Sequence, residues 1–494
     1  MVNNAILAVD QGTTSSRAIV FDGHSGIVSV AQQEIPQYYP HEGWVEHDLE
    51  AIWQSVKCTA QQAFIEAQAR GVQVQALAIT NQRETVALWD KSTGEPLHNA
   101  IVWQDRRTSS HCERLRQSGC EPMVRGKTGL LLDPYFSATK IAWLLDSLPG
   151  ARAKAEAGKL AFGTIDSFLL SRLTGLKVHA TDATNASRTS LFNIHKQAWD
   201  EELLKLFTIP EALLPEVRDS ADDYGNTTAD LFGREIPIVA VAGDQQAAAI
   251  GQCCVSAGAI KSTYGTGAFV LMNTGESVID SQHKLLSTVA YRLRGKTSYA
   301  LEGSIFIAGS AVQWLRDRLK LLSDATESEA IARGLRDNGG VYMVPAFTGL
   351  GAPYWNPQAR GVINGLSLSC GSEHIVRAAL ESVCYQSHDL FKAFADDGVK
   401  PSLLRVDGGM AANSWLMQFL ADTLNLKVER PVVRETTALG ASYLAALQLG
   451  WVGSLAELSQ QWQLDASFVP KMPEHERQKL LAAWTKIVQQ ANDV

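Results

Sequence analysis

A short segment near the N-terminus constrains the fold of this chain more than any other. An apolar run over Ala5–Val9 predicts a buried strand, and a second apolar run over Ala18–Phe21 follows closely. The polar turn between them contains one acid, one glycine and four hydroxyl groups: Asp10, Gly12, Thr13, Thr14, Ser15 and Ser16. A glycine lets the backbone approach a ligand, and successive N–H groups with hydroxyls bind anions. The segment therefore predicts a phosphate-binding β-hairpin, although an ordinary surface turn uses the same residue types.

A second segment, half a chain further on, repeats this design. Residues Lys261–Met272 again combine a strand, a turn and a strand, and the turn contains Gly265, Thr266 and Gly267. Two phosphate-binding hairpins predict two similar lobes that close on one nucleotide. Asp10 adds a carboxylate of the kind that binds Mg²⁺ directly or through water.

Length and composition exclude several classes of protein. The 494 residues exceed the size at which one hydrophobic core usually splits into domains, which supports two lobes. The net charge of −8 argues against nucleic-acid binding, and no apolar run is long enough to span a bilayer. The N-terminus lacks a secretion signal, and the seven cysteines include no C-x-x-C pair. We therefore expect a cytoplasmic protein without structural disulfides, zinc or membrane insertion.

The order of apolar patterns favours an α/β class. Helical spacing over Asp48–Arg70 is followed by a strand pattern over Val72–Thr80, and a strand over Ile236–Ala242 leads into an Ala-rich helix. We place the lobe boundary near residues 252–257, which predicts domains of residues 1–252 and 253–494. Further helices are expected in the second lobe: Ile307–Leu322, His374–Phe394, Ser414–Leu424 and Ala438–Leu449.

One carboxylate stands at a predicted strand end, where Gly243-Asp244-Gln245-Gln246 opens a helix. Phosphoryl transfer to an alcohol needs a group that accepts the hydroxyl proton, and Asp244 suits that role. The alternative is a helix N-cap aspartate, which is common. A P-loop is excluded, because Gly126-Lys127-Thr128 has no glycine at the required spacing.

Opposite charges adjoin in Asn81-Gln82-Arg83-Glu84, directly after a predicted strand. Arginine donates hydrogen bonds and glutamate accepts them, so this pair could bind both sides of a vicinal diol. A small polyol also needs an apolar wall, for which Trp103, Tyr135 and Phe269 are candidates. The alternatives are a surface ion pair and aromatic core residues.

A further glycine turn occurs in Val406–Met410 (VDGGM), just before a helix predicted from Asn413. Two glycines at the start of a helix would admit an adenine or a ribose close to the backbone. A tight turn between a strand and a helix explains the same residues equally well.

Taken together, these motifs resemble those of the FGGY carbohydrate kinases, and most closely the members that phosphorylate glycerol. Two family signatures are matched by Tyr135–Asp146 (YFSATKIAWLLD) and by Gly361–Leu366 together with His374–Glu381. Five more segments resemble the motifs of the family members that phosphorylate glycerol: Asp10–Arg17, Asn81–Thr85, Asn185–Thr189, Ala242–Gln246 and Phe347–Trp355.

The resemblance implies two ribonuclease-H-like lobes of the actin/hexokinase-like ATPase fold, with the active site in the central cleft. It implies transfer of phosphate from ATP to glycerol, giving sn-glycerol 3-phosphate, with Mg²⁺ held by Asp10 and Asp244. The residues implied for the polyol are Arg83, Glu84, Trp103, Tyr135, Asp244, Gln245 and Phe269. Those implied for the nucleotide and its phosphates are Thr13, Thr14, Ser15, Arg17, Thr266, Gly309, Gln313, Gly409 and Asn413.

Two other functions stay open at this point. The first is a kinase of the same family with a different acceptor, such as a pentulose. The second is a protein of another class: an actin-like ATPase that acts as a chaperone or forms filaments, or a catalytically inactive binding module. The sequence also leaves a homo-oligomer open.

Overall fold

The structure, a computed structural model, describes residues 3–356 and 358–493. The first residue of the predicted N-terminal domain, residue 1, and the last residue of the predicted C-terminal domain, residue 494, lie outside the described residues. The strands are β1 (Asn3–Gln11), β2 (Ser15–Asp22), β3 (Ile27–Glu34), β4 (Glu46–His47), β5 (Val72–Asn81), β6 (Ala87–Asp90), β7 (Ala100–Ile101), β8 (Leu160–Gly163), β9 (Ala180–Asp182), β10 (Phe192–Asn193), β11 (Ala198–Trp199), β12 (Glu216–Arg218), β13 (Ile238–Gly243), β14 (Ala259–Tyr264), β15 (Ala268–Gly275), β16 (Leu286–Leu293), β17 (Lys296–Ile305), β18 (Tyr342–Val344), β19 (Val362–Asn364), β20 (Leu403–Asp407), β21 (Val428–Pro431) and β22 (Leu464–Phe468).

The α-helices connect and cover these strands. They are α1 (Leu49–Ala69), α2 (Ser109–Gln117), α3 (Glu121–Thr128), α4 (Ser137–Ser147), α5 (Ala151–Glu156), α6 (Ile165–Leu173), α7 (Ala183–Ala186), α8 (Glu201–Phe207), α9 (Ala229–Phe232), α10 (Asp244–Gly251), α11 (Gly309–Asp317), α12 (Glu327–Gly334), α13 (Ser372–Asp396), α14 (Ser414–Leu424), α15 (Thr436–Gln448), α16 (Leu455–Leu458) and α17 (Glu474–Asn492).

Two mixed sheets repeat one topology. The first has the order β13-β5-β1-β2-β3, in which β1, β5 and β13 are parallel and β2 and β3 are antiparallel additions. The second has the order β16-β17-β15-β14-β20-β21-β22, in which β14, β20 and β21 are parallel. Its strands β17-β15-β14-β20-β21 reproduce the five-strand pattern of the first sheet. The predicted α/β class with two similar lobes is therefore confirmed, whereas the exact domain bounds stay predictions.

Helices α10 and α15 lie between the two sheets. Helix α15 packs on the face of the first sheet that contains Ile6, Ala8 and Phe21, although its residues follow the last parallel strand of the second sheet. Helix α10 contacts α15, β14 and β15. Each helix therefore links one sheet to the other and helps to fix the relative position of the two sheets.

Most predicted elements agree with the structure, and one helix is shorter than expected. Helix α1 begins after Asp48, whose side chain accepts a 2.8 Å hydrogen bond from the Glu50 amide, as an N-cap does. Helix α11 covers only Gly309–Asp317 of the predicted Ile307–Leu322, because the chain leaves helical geometry and turns at Lys320 with a positive φ.

Candidate active site

Three candidate residues meet at one edge of the first sheet. Asp10 lies opposite Thr80 in the parallel pair of β1 and β5, and Gly243 lies opposite Asn81 in the parallel pair of β5 and β13. The carboxyl ends of parallel strands share one edge, which is where ligands bind in open α/β sheets. Asp10, Arg83 and Asp244 are therefore brought to the same edge.

The first predicted hairpin is formed by β1 and β2. Its turn is closed by a 2.9 Å hydrogen bond from the Gly12 amide to the Ser15 carbonyl, and the Gly12 carbonyl accepts from the side chains of Gln11 and Gln82. Thr14 is exposed, while Thr13 and Ser15 are half-buried. The turn is held from behind and presents hydroxyl groups to the outside, as a phosphate-binding turn requires.

The second hairpin, formed by β14 and β15, is crowded by two neighbouring glycine turns. The Gly309 amide donates to the Gly265 carbonyl at 2.9 Å, and a Cβ on Gly309 would lie 2.6 Å from that carbonyl oxygen. Gly408 has φ +86°, and a Cβ there would lie 2.5 Å from the Tyr264 carbonyl oxygen. The three turns thus pack backbone against backbone. The Thr266 side chain is exposed at this crowded turn, and the Thr266 carbonyl accepts hydrogen bonds from the Ala308 and Ser310 amides on either side of Gly309.

The other expected nucleotide residues flank this cradle. Gln313 and Gly409 are exposed, and Gly409 begins a short 3₁₀ turn that leads to Asn413. The Asn413 side-chain oxygen caps α14 by accepting from the Leu416 amide at 2.9 Å, so it already has a structural partner. Arg17, on the first hairpin, forms an ion pair with Glu435 and a 2.8 Å hydrogen bond to Gln32. Its guanidinium is therefore partly engaged within the protein.

Asp244 is the first residue of α10, and the N-cap position is taken by Gly243. The alternative of an N-cap aspartate is therefore wrong. The Oδ1 atom of Asp244 lies 3.2 Å from Nε of Arg83 and accepts a 2.7 Å hydrogen bond from the Gln245 amide. The side chain is 28% exposed, so the carboxylate is accessible from the cleft without facing bulk solvent entirely.

Asp10 and Asp244 act on each other electrostatically. Burial raises the pKa of the Asp10 carboxyl from its ordinary 3.8 to about 7, and the negative charge of Asp244 is the next cause, while Arg17 opposes the shift. No cluster of three or more His, Cys, Asp or Glu side chains suited to a metal occurs within residues 3–356 and 358–493. Two carboxylates nevertheless fit Mg²⁺, which usually takes one or two of them and completes its shell with water and substrate phosphates.

Arg83 and Glu84 follow β5 and are both buried, with 3% and 1% exposure. The alternative of a surface ion pair is therefore wrong. The Arg83 guanidinium holds both oxygens of Glu302, with Nη1–Oε2 at 2.5 Å and Nη2–Oε1 at 3.2 Å. Glu84 adopts φ +61° and accepts a 2.6 Å hydrogen bond at Oε1 from Arg188. Burial raises the pKa of Glu84, and the two arginines oppose this shift.

The three candidate aromatic residues form one wall although they come from distant segments. The Trp103 ring lies 5.6 Å from that of Tyr135 and 6.1 Å from that of Phe269, edge to face in both cases. All three side chains are half-buried, so they are not core residues. The Trp103 indole also donates a 2.9 Å hydrogen bond to the Thr13 hydroxyl. The aromatic wall therefore joins the first hairpin to the second.

Sequence reasoning missed three charged residues beside this site: Lys261, Arg188 and Glu302. Lys261 is buried and donates a 2.7 Å hydrogen bond to the Gln245 side chain, while burial lowers its pKa. Arg188 lies within the segment Asn185–Thr189, to which no role had been given. Glu302 interrupts an otherwise apolar stretch of β17, and a charge in a buried strand is the signal that could have found it.

Within the residues that the structure describes, no helix combines the length and the hydropathy needed to cross a membrane.

Comparisons with known proteins agree with this geometry. Models of the FGGY family of carbohydrate kinases match the chain twice, the N-terminal domain over residues 5–251 and the C-terminal domain over residues 260–449. The chain is 61% identical to a glycerol kinase of Rhodospirillum centenum and 60% identical to one of Alcanivorax borkumensis, in each case over 98% of this chain and 97% of the relative. The fold is similar to that of a Plasmodium falciparum glycerol kinase crystallised with ADP, with a TM-score of 0.95, 37% identity, and coverage of 99% of this chain and 98% of the other. The chain belongs to the FGGY family of carbohydrate kinases.

Proposed function

We propose that this protein transfers the γ-phosphoryl group of ATP to glycerol and releases sn-glycerol 3-phosphate and ADP, the entry step of glycerol catabolism. The observation that carries the proposal is the accessible Asp244 carboxylate beside the buried pair Arg83 and Glu84. The high identity to relatives that are named glycerol kinases supports the same substrate.

Glycerol is the acceptor that this pocket suits best. The Arg83 guanidinium can donate to one hydroxyl, and the Oε2 atom of Glu84 can accept from its neighbour. Burial raises the pKa of the Tyr135 hydroxyl, with the charge of Glu84 as the next cause, so the phenol stays protonated and can donate as well. Gln245 adds an amide next to Asp244. The rings of Trp103 and Phe269 would cover the carbon edge of a three-carbon chain.

The nucleotide would lie across the two hairpins. We assign the phosphates to Thr13, Thr14 and Ser15 on the first hairpin and to Thr266 on the second, with Arg17 nearby. The exposed surface around Gly309, Gln313, Gly409 and Asn413 would receive the adenosine. Because backbone meets backbone at Gly265 and Gly309, a flat base could approach closely there.

Mg²⁺ would be held by Asp10, directly or through water, and by Asp244 through water, because a direct bond to Asp244 would occupy the oxygen that must accept the proton. When bound, the ion neutralises charge on the phosphates of ATP and aligns them for transfer. The raised pKa of Asp10 is consistent with a position made for a cation, because a bound cation would compensate the repulsion between the two carboxylates.

In the chemical step, Asp244 accepts the proton of the terminal hydroxyl of glycerol while the oxygen attacks the γ-phosphorus in line with the leaving ADP. The Oδ1 atom is held by Arg83 and by the Gln245 amide, which leaves Oδ2 for the proton. Closure of the lobes over the aromatic wall would exclude water, which otherwise competes as the acceptor. We also propose a cytoplasmic location, where ATP is available.

A coupled ADP-release assay tests the proposal. The rate is measured with no acceptor, with glycerol and with a pentulose at equal concentration, and the product is identified with a dehydrogenase specific for sn-glycerol 3-phosphate. We expect glycerol to give the highest kcat/KM. A higher kcat/KM for the pentulose would support the alternative of a sugar kinase of the same family. ADP release that neither acceptor stimulates would support the alternative of an actin-like ATPase.

A further inference from the structure

A row of alternating charges, buried except for the partly exposed Asp244, runs behind the polyol pocket. Its members, in order, are Asp244, Arg83, Glu302, Arg188 and Glu84. The contacts between neighbours are 3.2 Å from Asp244 to Arg83, 2.5 Å from Arg83 to Glu302, 2.8 Å from Glu302 to Arg188 and 2.6 Å from Arg188 to Glu84. The row thus joins the proposed base to the proposed acceptor of the polyol hydroxyl.

The central member comes from the other lobe. Glu302 lies on β17 of the second sheet, whereas Arg83 follows β5 and Arg188 follows α7. Glu302 and Arg188 are 1% and 0% exposed. Despite its burial, the pKa of Glu302 is lowered by the two guanidinium groups, so the carboxylate stays charged. One buried anion therefore bridges two arginines that belong to the opposite lobe.

Without this anion, the two arginines would turn to the anions of the pocket. Arg83 already has Asp244 at 3.2 Å and Glu84 at 3.9 Å, and a guanidinium that lost Glu302 would bind them more closely. The donors of Arg83 and the acceptors of Glu84 would then satisfy each other instead of a polyol. Glu302 therefore keeps both groups available to the substrate.

Stability alone does not explain the row. The Nη1 atom of Arg188 is buried and has no hydrogen-bond partner within the described residues, whereas a purely structural network usually satisfies every donor. Buried ion pairs also contribute little net stability, because desolvation offsets their attraction.

We propose that Glu302 and Arg188 are positioning residues for polyol binding: Glu302 holds the Nη atoms of Arg83 away from Glu84, and Arg188 orients Glu84. The inference rests on the proposed function and names two residues that the polyol itself need not touch. Through Glu302, the second lobe would set the affinity of the first lobe for the acceptor.

The test compares Glu302→Gln, Glu302→Asp and wild type in three measurements: the KM for glycerol, the KM for ATP, and ADP release without an acceptor. Loss of a charge-assisted hydrogen bond should raise the KM for glycerol by about tenfold or more in Glu302→Gln. The KM for ATP and the acceptor-independent rate should stay within about twofold, because the nucleotide residues lie elsewhere. Glu302→Asp keeps the charge and should restore part of the loss.

Glu381→Gln is the matched control. Glu381 is also a buried glutamate of the second lobe and pairs with Arg377 at 2.7 Å, but it belongs to α13, and its hydrogen-bond partners Arg377, Asn338 and Tyr385 are not among the residues assigned to the pocket. If Glu302→Gln does not fold, Glu302→Asp and Arg188→Lys provide the same comparison. The proposal would be overturned if Glu302→Gln and Glu381→Gln impaired glycerol binding, ATP binding and acceptor-independent ADP release to a similar extent. An unchanged KM for glycerol in Glu302→Gln would overturn it as well.

The activity of the wild-type protein distinguishes failure of the positioning role from failure of the proposed function. If wild type phosphorylates glycerol and the variants bind it normally, only the positioning role fails. If wild type prefers another polyol, the variants are compared on that polyol. If no polyol stimulates wild type, both proposals fail together.

Discussion

The close crossing of α10 and α15 predicts that replacing a glycine by alanine lowers the stability of the protein at Gly440, whereas the same replacement raises it at the control position Gly126. The helices approach so closely at Gly440 that a Cβ there would lie 1.7 Å from the carbonyl oxygen of Ala247 and 2.8 Å from the amide nitrogen of Gly251. Ordinary contact begins near 3.4 Å, so Gly440→Ala would require the helices to separate by 3.4 − 1.7, or about 1.7 Å. Both partner atoms belong to the backbone, so neither can rotate away.

The magnitude follows from two opposing effects. Overpacking of a well-packed interface costs about 1–3 kcal/mol and sometimes more. Replacing glycine by alanine inside a helix returns about 0.5–1 kcal/mol. We therefore expect Gly440→Ala to lower the free energy of unfolding by about 2 kcal/mol or more, the upper part of the range applying because the overlap is so large. The rate of phosphoryl transfer should fall as well, because α10 begins with Asp244.

Urea unfolding followed by tryptophan fluorescence measures this effect, with Gly126→Ala as the control. Gly126 lies inside α3, and a Cβ there would meet nothing within 4 Å. The control should be stabilised by about 0.5–1 kcal/mol. If Gly440→Ala unfolds at the same urea concentration as wild type, the close crossing is not part of the native fold and the reasoning is refuted.

Two predictions concern pH. Burial lowers the pKa of His47 from 6.5 to about 4, so between these pH values the unfolded chain binds a proton that the folded chain does not. The free energy of unfolding should therefore decrease as the pH falls from 6.5 to 4, by about 3 kcal/mol in total. His47→Asn should flatten this dependence in urea titrations, and an equally steep slope in the variant would rule out His47 as its source. Because the pKa of Asp10 is raised to about 7, protons should compete with Mg²⁺ at that carboxylate. After correction for protonation of ATP, the Mg²⁺ concentration for half-maximal rate should rise about fivefold from pH 7 to 6, because half of the Asp10 carboxyls are already protonated at pH 7, whereas a constant requirement would remove Asp10 from the metal site.

Local patterns in the sequence were enough to predict much of the fold. Both hairpins, the parallel strands and α14 follow from short apolar runs and from the glycines between them, because these features depend on neighbouring residues. The pairing of Arg83 with Glu84 was also visible, because the two residues are adjacent. Its burial was not, since a charged dipeptide after a strand is usually exposed.

Contacts between distant segments could not be predicted. Arg83 and Glu302 are separated by 219 positions, and no local pattern relates them. The location of α15 was missed for a different reason. Its segment TTALGASYLAALQ is apolar on nearly all sides, which indicates burial but does not say which sheet covers it. The close crossing of α15 with α10 depends on Gly440, whose role appears only once both helices are in place.

The most direct test of the whole account replaces one carboxylate by its isosteric amide. In Asp244→Asn, glycerol binding is measured by calorimetry and phosphoryl transfer by rapid-quench single turnover at saturating MgATP. Since a general base contributes about 10²–10⁴-fold, the transfer rate should fall by about that factor while glycerol still binds. A variant that binds glycerol and transfers phosphate at the wild-type rate would contradict the assignment of Asp244 as the base.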